Sequence, residues 1–313
     1  MKVADAMKVA DAMKVADAMK VADSMKVADS MKVKVIYTRS SSNNRVQTTL
    51  PCAIAFDLDE TLGSFSDFYS IWARLEDSAK TQSNFNEIMD MYPEFLRVGI
   101  LSILRYIKSK QDAGICLPIY IYTNNQCEDV SWIYKLIEYL EYRLSKSDGE
   151  DNKANIFARP ICAFKIRGKR IEKGRTTHEK TYSDFVKCSM LSSSHELCFI
   201  DDVYYKKMKN RKVYYIQPPP YVHQVPYREV VGRFLKSNIY GRLYPDRTPS
   251  VDLPAPDINV ESEWSEKDER KITNKIMYNI REFFLIHSRK RTTKKREYKI
   301  GNFTRKIGIN LRR

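Results

Sequence analysis

No Cys-x-x-Cys pair occurs in this chain, whose six cysteines stand at 52, 116, 127, 162, 188 and 198. That excludes the usual zinc spacings. Several of these cysteines sit in or beside apolar runs, where a free thiol behaves as a small hydrophobe. Histidine is scarce too: His178, His195, His223 and His287 are the full set, with no metal-binding spacing. His178 stands close to Lys180, where it is either a turn residue or a substrate contact. There is no apolar run long enough to cross a bilayer and no secretory signal, so a reducing, intracellular compartment and no membrane contact are expected.

What the sequence does have is a set of short apolar runs that stop abruptly at polar residues. Ala53-Ile-Ala-Phe-Asp57-Leu-Asp59-Glu-Thr61-Leu62 is the most informative. The run is short and bulky and follows Pro51, as a buried strand does. Residues just past such a strand emerge at the carboxyl edge of an open α/β sheet, where ligands bind. Asp57 and Asp59 would both be presented there. Two carboxylates in one cleft need a cation, or one must hold its proton. Taken alone, the segment is equally a strand end with two solvated acids.

Two more runs end in the same way. Leu117-Pro-Ile-Tyr-Ile-Tyr stops at Thr123-Asn124-Asn125, and Glu196-Leu-Cys-Phe-Ile stops at Asp201-Asp202. The Thr123 hydroxyl can donate to a phosphoryl oxygen, and Asn124 would add a second contact; an ordinary polar turn has the same composition. Asp201 and Asp202 offer oxygen ligands of the kind magnesium takes. Between these runs, Lys180 precedes an expected helix over Ser183–Leu191. Lys187, inside that helix, is the runner-up and equally reads as a surface residue.

The order DLDETL, then Thr123, then Lys180, then Asp201-Asp202 resembles the haloacid dehalogenase superfamily of phosphotransferases. The resemblance covers about Ala53 to Ile216. It implies an α/β fold: a Rossmann-like parallel sheet with flanking helices and a small or absent cap. It further implies that Asp57 attacks phosphorus to give an aspartyl-phosphate. Asp59 would protonate the leaving oxygen and then activate water, Thr61 would fix the turn, and Lys180 would neutralise the phosphoryl group. Mg2+ would be held by Asp57, the Asp59 carbonyl and Asp201, with Asp202 orienting it or a bound water. The DLDETL form, Tyr92-Pro-Glu-Phe-Leu-Arg97-Val-Gly99 and Phe157-Ala-Arg159-Pro-Ile-Cys162 resemble the branch acting on the RNA polymerase II C-terminal domain. Thr123-Asn124-Asn125, Val98 and Asp201-Asp202 depart from that branch's usual residues. Divergent relatives in large DNA viruses look similar, including the basic tail.

Substrate size follows from the cap. Helices expected near Ser64–Leu75 and Gly99–Lys110 occupy most of the stretch from Asp57 to Thr123, and a helix over Glu128–Ser145 fills much of the stretch to Lys180. What remains is too short for a separate lid domain, which rarely falls below about 50 residues. A small metabolite usually needs a lid that excludes water. An open cleft favours a phosphorylated protein as substrate and partner; the rivals are a nucleic-acid end or nucleotide, and a non-catalytic nucleic-acid-binding or scaffold role.

The chain divides by composition. Five hexapeptides, Met-Lys-Val-Ala-Asp-Ala or -Ser, form a low-complexity repeat over residues 1–30, and 31–50 reads as a polar linker. Residues 51–240 hold the catalytic domain, with a fourth strand over Lys212–Ile216 and a helix over Tyr227–Ser237. Residues 241–264 form a Pro-rich linker. Residues 265–287 are an amphipathic helix capped by Ser265, with Ile272, Ile276, Ile280 and Phe283 or Phe284 on one stripe. Docking on the catalytic domain and binding a partner are both open to that stripe. Residues 288–313 are a basic tail: eleven Lys or Arg against the single acid Glu297, most of the net charge of +15. Such density suits nucleic acid, through Arg289–Arg313, or a nuclear import receptor, and is also the composition of a solvated disordered end.

Overall fold

Strand β1 (Lys34–Ile36), β2 (Ala53–Phe56), β3 (Tyr120–Ile121), β6 (Leu197–Ile200) and β7 (Val213–Gln217) form a five-stranded sheet in the order β1-β7-β6-β2-β3. A separate two-stranded hairpin pairs β4 (Lys165–Ile166) with β5 (Lys169–Arg170). The computed structural model describes residues 33–36, 50–127, 132–148, 155–245 and 264–310. The hexapeptide repeat and residues 246–263 lie outside them. Strands β3, β2, β6 and β7 run parallel. Both faces of such a strand are covered, so its residues are continuously apolar and buried. In β2, Ile54 and Phe56 face one core cluster while Ala53 and Ala55 face the other, the two-residue alternation of a strand.

Helices cover both faces: α1 (Ser66–Trp72), α2 (Gln82–Met91), α3 (Ile100–Asp112), α4 (Trp132–Asp148), α5 (Tyr182–Ser189), α6 (Tyr227–Leu235), α7 (Asn238–Leu243) and α8 (Glu266–Asn310). The mixed α/β architecture with a mainly parallel sheet is compatible with a Rossmann-like fold. On the larger face, Ile103, Leu104 and Ile107 of α3 and Ile133, Leu136 and Leu140 of α4 are buried against the sheet. Phe185 of α5 packs into the second cluster with Tyr122 and Phe199. The chain between Asp57 and Thr123 holds α2 as well as the two expected helices. All three bury their apolar residues in the main core and form no separate lid.

Several segments differ from expectation. Lys34–Ile36, inside the stretch read as linker, adds an antiparallel edge strand to β7. The start of the helix expected at Glu128 lies outside the described residues. The segment read as a separate basic tail continues α8 as far as Asn310. Lys and Arg are good helix formers, so loss of the apolar stripe after residue 287 does not end the helix. The stripe itself docks: Ile272, Ile276, Ile280, Phe283 and Phe284 are all buried in the main core. Asp268 N–H donates to Ser265 Oγ, which caps the helix. Finally, Cys127 and Cys162 form a disulfide. Reading all six cysteines as reduced thiols therefore fails for this pair, which lies 35 residues apart in sequence, while Cys52, Cys116, Cys188 and Cys198 are free.

Candidate functional site

Register brings the strand-end residues together. Phe56 of β2 pairs with Ile200 of β6 on one side and Ile121 of β3 on the other. Because these strands are parallel, the next residues in all three leave the sheet at the same edge. Asp57 N–H still donates to Ile200 O at 2.8 Å, and Asp201 N–H to Ile216 O at 3.2 Å. The backbone is thus held in sheet geometry up to the residues that carry the carboxylates.

Carboxylate oxygens of Asp57, Asp201 and Asp202 lie within 4.8 Å of one another, a cluster able to hold a metal ion. Lys180 Nζ stands among them, 2.6 Å from Asp57 Oδ1 and 2.7 Å from Asp201 Oδ2. Its side chain is 1% exposed, and that of Asp57 is 14% exposed, so Asp57 is the member of the cluster that a substrate can reach. Lys180 reaches this depth because Thr181 caps α5 by accepting from Asp184 N–H, which fixes the residue just before the helix. Lys187, the other candidate lysine, is exposed.

Three carboxylates against one ammonium leave excess negative charge in a desolvated site. Burial first, and then Asp57, pushes the Asp201 carboxyl up to about 8 despite the opposing pull of Lys180. Burial likewise raises Asp202, although a Thr61 hydrogen bond opposes it. Burial works against the Lys180 ammonium, but Asp57 and Asp201 outweigh it and raise its pKa. A bound cation would offset that excess charge, and an all-oxygen donor set suits a hard one.

Asp59 is placed differently from the other acids. Its side chain lies outside the three-carboxylate cluster and accepts from Asn125 Nδ2. Burial, followed by the charge of Asp57, lifts its carboxyl to about 7. The turn that carries it is tight: Glu60 has a left-handed φ of 59°. At Gly63 a Cβ would stand 2.3 Å from Phe95 O, so the turn has room only for glycine. Thr61 Oγ1 donates to Asp202 Oδ1 at 2.7 Å and accepts from Asp202 N–H at 3.1 Å. This reciprocal pair clamps the DLDETL turn to the end of β6.

Thr123 is buried, and its Oγ1 accepts from Asn125 N–H at 3.0 Å. Its own hydroxyl proton remains for a ligand oxygen. Asn124, expected as a second phosphoryl contact, is engaged elsewhere: its Oδ1 accepts from Arg175 and its Nδ2 donates to Tyr205 Oη. His178 rests edge-on against Phe164 at 5.4 Å and is exposed.

Two arginines, neither expected to act structurally, hold this site in shape. Arg175, fully buried, donates to Thr123 O at 3.0 Å, Cys162 O at 2.9 Å, Asn124 Oδ1 at 2.8 Å and His178 O at 2.9 Å. It joins the Thr123 loop to the loop that delivers Lys180. Arg97 does the same for the DLDETL turn, donating to Thr61 O at 2.8 Å, Glu60 O at 2.7 Å and Pro219 O at 2.8 Å. Its remaining nitrogen pairs with Glu269 of α8 at 3.2 Å. Arginine on a loop ordinarily reads as surface, and only Arg97 stood out at all, through its Tyr92–Gly99 segment.

Beside Asp59 opens a cleft of about 1150 Å³, lined among others by Asp59, Asn125 and residues of the β4–β5 hairpin. No helix among the described residues is long and apolar enough to cross a membrane. Comparison with known proteins finds no family model, no curated protein and no solved structure that matches the chain.

Proposed function

We propose that this chain is a magnesium-dependent phosphomonoesterase of the haloacid dehalogenase type, working through an aspartyl-phosphate on Asp57. One observation carries the reading: the three strand-end carboxylates converge with a single buried lysine bridging Asp57 and Asp201. A purely structural ion pair would need one carboxylate per lysine, not an accessible Asp57 beside two more acids. Asp57, Asp201 and Asp202 would hold Mg2+, which supplies charge neutralisation to the equatorial phosphoryl oxygens.

The remaining steps fall to the chain's own residues. Lys180 holds Asp57 in place and neutralises charge near phosphorus. The Thr123 hydroxyl donates to a phosphoryl oxygen. A carboxylate oxygen of Asp57 attacks phosphorus; the P–O bond to the leaving group breaks, and Asp59 gives that oxygen its proton. Asn125 fixes the Asp59 carboxyl for this transfer. Asp59 then takes a proton from water, which attacks the acyl-phosphate and releases inorganic phosphate from Asp57. Catalysis of this kind is mainly positioning and electrostatics, which is why buried arginines tying the loops together matter.

The test is hydrolysis of an aryl phosphate with magnesium and with a chelator. Turnover that disappears on chelation and returns with magnesium is expected. Turnover that is indifferent to chelation would contradict the metal assignment, and no turnover at any magnesium concentration would contradict the phosphatase. The expectation of a phosphorylated protein as substrate, and its rival of a nucleic-acid end, both call for an open cleft, and the cleft beside Asp59 supports either.

A further inference from the structure

We infer that the phosphomonoester this site takes is the terminus of a single-stranded nucleic acid, with the adjoining nucleotides held along the cleft between α1 and the β4–β5 hairpin. The inference rests on the phosphatase reading and adds the substrate to it. Its basis is that two parts of the cleft lining differ in chemistry. One part is aromatic: Tyr69 and Trp132 belong to it, with their ring centroids 6.1 Å apart. Tyr69 is 50% exposed. A half-exposed tyrosine ring beside a tryptophan offers aromatic surface on which a base can stack.

Another part of the lining is cationic: Lys169 and Arg170 belong to it, and the same hairpin carries Lys165 and Arg167, all four exposed. None of the four has a carboxylate partner among the described residues. Lys165 and Arg170 lean on the Phe164 ring at 5.0 and 5.4 Å, and Arg170 also donates to Lys173 O at 2.9 Å and Arg175 O at 2.7 Å; these neutral partners leave the charge of both uncancelled. Lys80, which also lines the cleft, is paired with Asp77. Asp59 is the acid lining the cleft, and it belongs to the catalytic turn.

A substrate with one phosphate places that phosphate at Asp57 and Lys180 and gives the hairpin cations nothing to bind. Surplus cations beside stacking faces fit a ligand that repeats both an anion and a π-face along its length, as each nucleotide does. A peptide with one phosphoserine offers neither repeat. Asp59 and Asn125 belong to both the cleft and the site, so the two adjoin.

The experiment uses the full chain with magnesium. Phosphate release is compared for 5′- and 3′-phosphorylated oligothymidylates, a phosphoserine peptide and an aryl phosphate, in the native chain and in Tyr69→Ala and Lys169→Glu. One terminally phosphorylated oligonucleotide should exceed the peptide in kcat/KM. Stacking is worth about 1–3 kcal/mol per base, so Tyr69→Ala should raise KM for the oligonucleotide about tenfold. Anisotropy of a labelled, phosphorylated oligonucleotide reads the cleft without turnover and so separates this inference from the phosphatase itself. Affinity that falls about tenfold in each variant supports the cleft even if aryl phosphate is not hydrolysed. Affinity unchanged in both variants, or a preference for the phosphopeptide, overturns the inference even if aryl phosphate is hydrolysed.

Discussion

Asp57→Asn should lower magnesium-dependent hydrolysis of an aryl phosphate by about 10³-fold or more, the scale on which loss of a nucleophile acts. Asparagine keeps the size of the side chain but cannot form the acyl-phosphate. The fold should survive, because the substitution removes one of three crowded carboxylates. It leaves Lys180 paired with Asp201 at 2.7 Å, so the lysine is not stranded. A melting temperature within a few degrees of native would locate the loss in chemistry. Retention of a tenth or more of native turnover would mean that Asp57 is not the nucleophile.

The largest stability effect is expected at Arg97, far from any substrate. Arg97→Met would strip three backbone carbonyls of their donor and leave the Glu269 carboxylate buried without its cation. Burial already raises Glu269 against the pull of Arg97. Breaking one side of a buried pair costs roughly 3–5 kcal/mol, or a melting temperature lower by roughly 10 °C for a chain of this size. Replacing both partners, as Arg97→Met with Glu269→Met, should recover part of that loss, since no buried charge is then left alone. The three carbonyls stay unsatisfied, so recovery is partial. A shift of under about 2 °C in the single variant would show that α8 does not lock the DLDETL turn.

The parts of this site that were legible in the sequence are those where an apolar run stops at a charged residue. Asp57, Thr123 and Asp201 announce themselves because burial of the strand and exposure of its end have opposite compositions. Lys180 was legible through its place before a helix, and the α8 stripe through its period. Three features were not, for separate reasons. Strand β1 is only three residues long, and its partner β7 lies far along the chain, so nothing local specifies it. The β4–β5 hairpin is mostly charged, which hides strand character. Arg175 is held by carbonyls rather than by a carboxylate, and no side-chain pattern records that. The Cys127–Cys162 pair belongs with these, because spacing does not give connectivity. Helix α8 beyond His287 was legible in principle from propensity but masked by its charge.

The most direct test of the central claim is to look for the phosphoryl group on Asp57. The protein, magnesium and an excess of aryl phosphate would be mixed, quenched in acid, digested and analysed by mass spectrometry. The account predicts a phosphoryl adduct on the peptide containing Asp57, removed by hydroxylamine and missing from Asp57→Asn. Steady turnover with no adduct there, or with the adduct on another residue, would contradict it.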